Sequence, residues 1–441
     1  MPTPSLYRDP AGSLRLAGAD LSDVATATGT PSYAYDLGAM AAAARGIQAA
    51  FDGRPHLVAY ALKANTAGAV VRTFAAEGCG ADIVSGAELR VALACGMPPE
   101  RIVYSGVAKM DDEIDLALAT GPRGIGAVLV ESVEEIARVE ARARAAGRRA
   151  RVGIRVNPSL DLEGATHAHI ATGHDRAKFG VPRGDAARAA DLVEVSPHLQ
   201  LVGITAHVGS HFKSTGPYVE SAQVLFGIVK AMREAGRGRS LEFVDTGGGF
   251  AVDYSGEAGV SAPALPEPAD FVRAVRAAQR EHGLDDLALY AEPGRCLVAA
   301  FGVLVARVVQ AKVGANRRWL MIDAGMNDLL RPALYQARHR IVPLRAAAGA
   351  PLSGEGAGAM PWRVVGPVCE SSDDFGDHLL PNEAPAHVAI LDTGAYGYTM
   401  ASVYNGRQLP VEAFLRDGRI VGQTERPSIE AWAQARARAG V

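Results

Sequence analysis

A chain of 441 residues is more than one ordinary core fills, so two domains, or one large barrel with a partner domain, are expected. Hydrophobic residues make up 48% and charged residues 21%, the balance of a globular enzyme, and a net charge of −3 leaves no basic footprint for nucleic acid. The four cysteines, Cys79, Cys95, Cys296 and Cys369, stand in no metal spacing, which fits free thiols in a reducing compartment.

The first residues carry no apolar signal segment, and the longest apolar stretch, 296–308, is broken by Gly302 and Arg307. A cytoplasmic protein bound to neither membrane nor nucleic acid is the expectation. Residues 6–18 and 31–37 look like strands. From residue 56 onward eight short apolar runs follow: 56–62, 80–85, 101–105, 127–131, 151–157, 201–208, 241–245 and 287–292. Between them lie segments with apolar residues at three-to-four spacing: 67–77, 86–94, 111–119, 133–146, 185–195, 218–235 and 269–282. Strand alternating with helix eight times predicts a (β/α)8 barrel. Its strands are almost continuously apolar, as parallel strands buried on both faces must be.

After Glu292 the rhythm changes. Residues 301–313, 318–323, 362–368, 387–392 and 419–421 read as strands with few helices between, hence a mostly antiparallel β domain. Residues 346–360, rich in Gly and Ala, read as a mobile surface insertion, and 428–439 as a closing helix. The predicted boundaries are 38–298 for the barrel, with 1–37 and 299–441 forming the β domain.

In such a barrel the functional face lies at the carboxyl ends of the strands. Lys63, Asp82, Arg155, His207 with Ser210, Gly247-Gly248-Gly249, and Glu292 with Arg295 all fall there. Lys63 follows an apolar run, where desolvation would favour the neutral, nucleophilic amine and a Schiff base with a carbonyl cofactor, pyridoxal phosphate above all. Taken alone it reads more readily as a solvent-exposed end to a strand, since most lysines are surface residues. The three glycines after the seventh run offer backbone N–H groups to a phosphate. A plain flexible turn is the rival reading. Glu292 suits a pyridine nitrogen, or else a structural pair with Arg295. A histidine such as His207 is more often a satisfied core residue, and no HEXXH-type spacing marks a metal site. Cys369, on its own, reads as a small buried residue.

Together these residues sit in motifs: YALKAN, GADIVSGAEL, YSGVAK, KFGVP, HVGS, DTGGGF, EPGR, MNDLLRPALY, GPVCESSD and GAYGYTMASVYN, in order over residues 60–405. The chain resembles the fold-type III pyridoxal-phosphate-dependent decarboxylases, the group acting on ornithine, diaminopimelate and arginine. RPALY followed by CESSD places the likeness nearest the diaminopimelate branch. The resemblance implies an alanine-racemase-like architecture and decarboxylation of meso-2,6-diaminopimelate to L-lysine and CO2. It implies that Lys63 carries pyridoxal 5'-phosphate and that His207 stacks on its ring. Glu292 would bind the ring nitrogen. Ser210, Gly247, Gly248, Gly249, Gly294, Arg295 and Tyr396 would surround the phosphate, with Asp82 and Arg155 among the cofactor's neighbours.

Arg295, Arg331, Tyr335, Glu370 and Tyr396 would then face the substrate. Cys369, as proton donor, and Glu370, as reader of the distal amino group, would reach in from a second subunit of a homodimer. Three departures stand out: His211 where the family usually has Gln, a histidine-rich stretch at 161–173, and the long 346–360 insertion. The first two motivate the rival of a family member acting on ornithine, arginine or a carrier-linked amino acid. A racemase is disfavoured because enzymes of that type usually place Arg, not Glu, at the ring nitrogen. A pseudoenzyme is disfavoured because Lys63, Glu292 and Cys369 are all present.

Overall fold

The computed structural model describes residues 4–160, 177–257, 260–353 and 358–438. The stretch at 161–173 lies outside them, as do 354–357 of the expected insertion. The chain divides into two compact units, one of Ala41–Val252 and Pro263–Cys296, the other of Met1–Met40, Asp253–Ala262 and Leu297–Val441.

Eight strands build the barrel of the first unit, with a two-residue strand, Val181–Pro182, alongside the fifth: β1 (His56–Ala61), β2 (Gly80–Ile83), β3 (Ile102–Tyr104), β4 (Ala127–Val130), β5 (Ala150–Asn157), β6 (Leu199–Thr205), β7 (Phe243–Asp245) and β8 (Ala288–Ala291). Each pairs in parallel with the next. The ring closes where Leu289 of β8 lies opposite His56 of β1. Closure leaves no free edge, so every strand is covered on both faces, and β2, β3, β4 and β7 are buried at every position. That double burial explains the continuous apolar runs.

Leu57, Ala59, Val103, Ala127, Leu129, Val202 and Phe243 fill the interior. The Phe243 ring stacks on Tyr290 with centroids 4.1 Å apart. Burying each large side chain contributes roughly 1.5–3 kcal/mol.

The turns from strand into helix are set by local capping. Ser85 Oγ accepts from the Glu88 amide at 3.2 Å and Ser132 Oγ from the Glu135 amide at 3.1 Å. The two glutamates reach back to the amides of Val84 and Glu131, each 2.7 Å away. Such caps start Gly86–Ala94 and Val133–Ala145 directly after β2 and β4, and each is worth ~1 kcal/mol. The strand ends are thereby fixed where the polar residues begin.

The second unit is a curled, mostly antiparallel sheet. Its order runs Asp374–Leu380, Met360–Val365, Arg318–Ile322, Gly302–Val313, Ser32–Asp36, Val411–Arg416 and Arg419–Gln423. Two of its pairings are parallel. Ile341–Pro343 joins through His387–Ile390, which pairs with Gly302–Val313. Leu14, Leu16, Leu21, Val24, Ala34, Val303, Val305, Leu391 and Leu415 are among the residues of its core.

Several of these elements escaped the sequence reading. Asp374–Leu380 (DFGDHLL) buries only Phe375, His378 and Leu380 and carries two aspartates and a glycine, so it makes no apolar run. Val411–Arg416 is interrupted by Glu412, which is buried against Tyr35. The helices Leu21–Thr28 and Leu37–Ala49 also went unread. The second is so rich in alanine that few large apolar side chains mark its buried face. The closing helix spans Ile429–Arg438.

Candidate active site

At the carboxyl end of the barrel the strand ends converge on a buried cluster of charge. Lys63 lies in the short helical turn Leu62–Ala64 directly after β1, and its Nζ pairs with Asp82 Oδ2 at the end of β2. The expectation of a merely desolvated amine is corrected here. The Lys63 side chain keeps 34% of its accessible surface, and its ammonium faces a carboxylate with none. Asp82 Oδ1 is buried without a partner among the described residues.

Arg155, on β5, donates to Glu131 Oε1 at 2.8 Å and to the His207 carbonyl at 3.1 Å, and stacks 4.8 Å from the centre of the Phe179 ring. Glu131, which ends the fourth run, also accepts from the Gly106 and Gly180 amides, both at 2.9 Å. It ties three loops of the rim together.

His207 Nδ1 accepts from the Gly248 amide at 3.1 Å, so a neutral ring carries its proton on Nε2. Burial, followed by the charges of Arg155 and Lys63, holds its pKa well below the ordinary histidine range. His207 Nδ1 stands 3.9 Å from Glu292 Oε2, beyond a hydrogen bond. Glu292 follows β8, is 5% exposed, and accepts a long hydrogen bond of 3.3 Å from Ser105 Oγ. Burial, then repulsion from Asp245 and Asp82, pushes its carboxyl well above the usual carboxylate range. Asp245 is likewise pushed up, first by burial. Three carboxyls thus share a pocket whose nearby cations are Lys63 and Arg155, the latter already paired with Glu131.

The glycine triplet has a structural job besides the phosphate role expected of it. The Gly247 amide is given to Asp245 Oδ1 at 2.9 Å and the Gly248 amide to His207, so two of the three N–H groups serve the protein itself. The glycines are required by close approach. A Cβ at Gly248 would fall 2.1 Å from the Glu292 carbonyl, and one at Gly249, where φ is +104°, would fall 2.3 Å from the Gly209 carbonyl. The Gly247 carbonyl accepts from the Glu292 amide at 2.7 Å. The triplet is therefore the seam that brings the ends of β6, β7 and β8 together. Beside it, Arg295 Nη2 donates to Ser210 Oγ at 3.2 Å, a cation and a hydroxyl suited to a phosphate. Gly294 packs closely on Ala61 and Ala64, which flank Lys63 in the chain.

The other expected residues lie in the second unit. Arg331 and Tyr335 open and close the short helix Arg331–Tyr335. Arg331 is buried, donates to His339 Nε2 at 2.7 Å, and lies 4.3 Å from the centre of the Tyr254 ring. His339 Nδ1 in turn donates to the Leu391 carbonyl at 2.8 Å, which leaves Nε2 free to accept. Tyr396 adopts a φ of 57°, a left-handed backbone unusual for an aromatic residue. Cys369 and Glu370 are exposed, which corrects the reading of the cysteine as a buried residue.

Four residues of the barrel site were not singled out from the sequence. Asp245 stood inside DTGGGF, Glu131 ended an apolar run, and Ser105 and Lys109 stood inside YSGVAK. Lys109 is a second lysine near the strand ends, but a structural one. Its Nζ donates to the Gly106 and Leu129 carbonyls, each at 2.6 Å, and to Glu135 at 3.1 Å. Among the described residues no group of His, Cys, Asp and Glu is arranged to hold a metal.

An accessible lysine on a barrel rim, an excess of buried carboxyl groups and an arginine–serine pair beside a glycine seam fit a cofactor with an aldehyde, a basic ring nitrogen and a phosphate. Residues 37–299 match the family described as pyridoxal-dependent decarboxylase, pyridoxal binding domain, and the chain belongs to this pyridoxal-dependent decarboxylase family. Its likeness to individual members runs the length of both units. It is 37% identical over 424 residues to a diaminopimelate decarboxylase of Zymomonas mobilis, covering 95% of each chain. It is also 37% identical over 425 residues to one of Pseudomonas aeruginosa, with 95% of each covered. The solved structure of the Helicobacter pylori diaminopimelate decarboxylase complexed with L-lysine superposes with a TM-score of 0.85 at 36% identity, covering 95% of this chain and 99% of that one.

Proposed function

We propose that this protein decarboxylates meso-2,6-diaminopimelate to L-lysine and CO2. The observation that carries the reading is similarity at 37% identity over 95% of the chain to enzymes of that activity, through both the barrel and the second unit. Pyridoxal phosphate, when bound, supplies an electron-poor ring that accepts the pair released as CO2 departs.

The chain's own groups do the rest. Lys63 would hold the cofactor through its amine, with Asp82 as its counter-charge. Glu292, kept protonated by burial and by its carboxyl neighbours, has a proton to share with the ring nitrogen. His207, neutral and held by the Gly248 amide, presents a flat uncharged face. Ser210 and Arg295 hold the phosphate. The substrate's C–C bond to the leaving carboxylate breaks, and Cys369 delivers a proton to the α-carbon in its place. Arg331, Tyr335, Glu370 and Tyr396 read the remaining carboxylate and the distal amine, because paired buried charges reject analogues far better than apolar fit does.

We further propose a homodimer in which Cys369 and Glu370 of each subunit serve the partner's barrel. Their exposure supports it, since a proton donor left in open water would protonate nothing selectively. A cytoplasmic location follows from this biosynthetic role, and no described helix is long and apolar enough to cross a membrane. Incubation with added pyridoxal phosphate and, separately, meso-diaminopimelate, ornithine and arginine tests the assignment. CO2 and L-lysine from the first alone are expected. Release from ornithine or arginine in preference would keep the chemistry and overturn the substrate.

A further inference from the structure

One turn grips the segment that carries Cys369 and Glu370 at three points. Arg407 Nη2 donates to the Pro367 carbonyl at 3.2 Å. The Cys369 amide donates to Asn405 Oδ1 at 2.9 Å. The Tyr404 hydroxyl donates to Glu370 Oε1. The turn depends on left-handed backbone at two successive residues, Asn405 with φ of 54° and Gly406 with φ of 71°, which Asn and Gly tolerate better than other residues.

An indole covers the turn. A Cβ placed on Gly406 would lie 3.1 Å from Cη2 of Trp432, so the ring rests directly against the glycine. Trp432 belongs to the helix Ile429–Arg438, and it alone among that helix's residues is not exposed. An isolated helix of this length is marginal in water, so its one anchored side chain decides where it lies. The helix start is capped by Ser428 Oγ, which accepts from the Ala431 amide at 3.1 Å. Just before it, Arg426 Nη2 donates to the carbonyls of Thr28 at 3.3 Å and Pro31 at 3.0 Å. The tail is tied at Arg426, turns into the helix, and ends its contacts on Gly406.

We propose that Trp432 is a positioning residue: the C-terminal helix braces the 404–407 turn, and through it sets where the Cys369 thiol and the Glu370 carboxylate stand. The chemical consequence rests on the decarboxylase reading given above. Trp432 touches neither substrate nor cofactor and acts through the turn. Cofactor capture, which belongs to the barrel residues, is independent of it.

The test uses full-length protein loaded with pyridoxal phosphate, comparing Trp432→Ala, Trp432→Phe and Cys369→Ala. Trp432→Ala should lower kcat about tenfold and raise the KM for meso-diaminopimelate severalfold, because small misplacements of reacting groups cost this much. Cofactor affinity and absorbance should stay unchanged, and Trp432→Phe should recover most of the loss. The rate at which iodoacetamide alkylates Cys369, read by peptide mapping, should change severalfold in Trp432→Ala. Wild-type kcat, KM and alkylation rate in that variant would overturn the brace. Full turnover in Cys369→Ala would sink the proton-donor role, while an altered alkylation rate would still uphold the brace. Should the alanine variant prove unstable, Trp432→Leu keeps an apolar cover: the same pattern at smaller size supports the proposal, and wild-type values contradict it.

Discussion

The barrel rim and the 367–370 segment hold reactive groups in opposite ways. On the rim, Asp82, Asp245, Glu292 and Glu131 are almost wholly buried, each at or just past the end of a strand whose register is locked by two neighbours. Position there is a by-product of the closed sheet. In the second unit, Cys369 and Glu370 stand exposed, and side chains of a single turn fix them. The rim is therefore rigid and electrostatically costly, and it tolerates little. The segment is cheap to build and adjustable. Damage to the rim should remove the cofactor or the fold, whereas damage to the segment should leave a loaded but slow enzyme.

The largest effect should follow Lys63→Ala, which removes the amine proposed to carry the cofactor. Turnover should fall by roughly 10^4-fold or more, and the characteristic absorbance of bound cofactor should vanish in a spectrum of the dialysed protein. Retention of both would end the contrast at once. Next comes Gly248→Ala. Its Cβ would sit 2.1 Å from the Glu292 carbonyl, so β7 and β8 cannot keep their approach. A loss of about 3 kcal/mol in unfolding free energy is expected, with weakened cofactor binding in a titration. A variant as stable as the parent would show that the seam is looser than the geometry requires.

Cys369→Ala should behave as the opposite type: turnover down about 100-fold, as for loss of a general acid, with cofactor content and thermal stability unchanged. The last effect, which leaves turnover aside, is one of pH. Burial raises the Glu412 carboxyl to about 7, although Tyr35 donates to it. A carboxyl raised on folding binds its proton more tightly in the native state, so its stabilisation is complete below about 4.5 and is lost as pH rises to about 7. Glu412→Gln should flatten the pH dependence of stability across that window by up to about 3 kcal/mol, seen in denaturant titrations at several pH values. An unchanged slope would mean that Glu412 is ionised in the native protein.

The same contrast explains what could be read from the sequence. The barrel was legible because double burial forces continuous apolar runs, and each run stops where a polar group is presented. Lys63, His207 and Glu292 were visible as interruptions of that rule. Asp245 was not, because one carboxylate before a glycine triplet reads as turn chemistry. Only the fold shows it beside Asp82 and Glu292. The structural work of the triplet was hidden for the same reason: three glycines announce exposed amides, while their closeness to the Glu292 and Gly209 carbonyls is a three-dimensional fact. In the second unit, half-exposed strands such as Asp374–Leu380 carry no clean pattern. The 404–407 turn joins residues more than thirty positions apart. No local signal could pair Asn405 with Cys369.

The central claim is that Lys63, and not the structurally committed Lys109, carries pyridoxal phosphate on the barrel rim. Borohydride reduction of the loaded protein followed by peptide mapping tests it most directly. The account predicts a phosphopyridoxyl group on the peptide containing Lys63 and none on that containing Lys109. Label on Lys109, or a protein that takes up the cofactor without labelling Lys63, would contradict it.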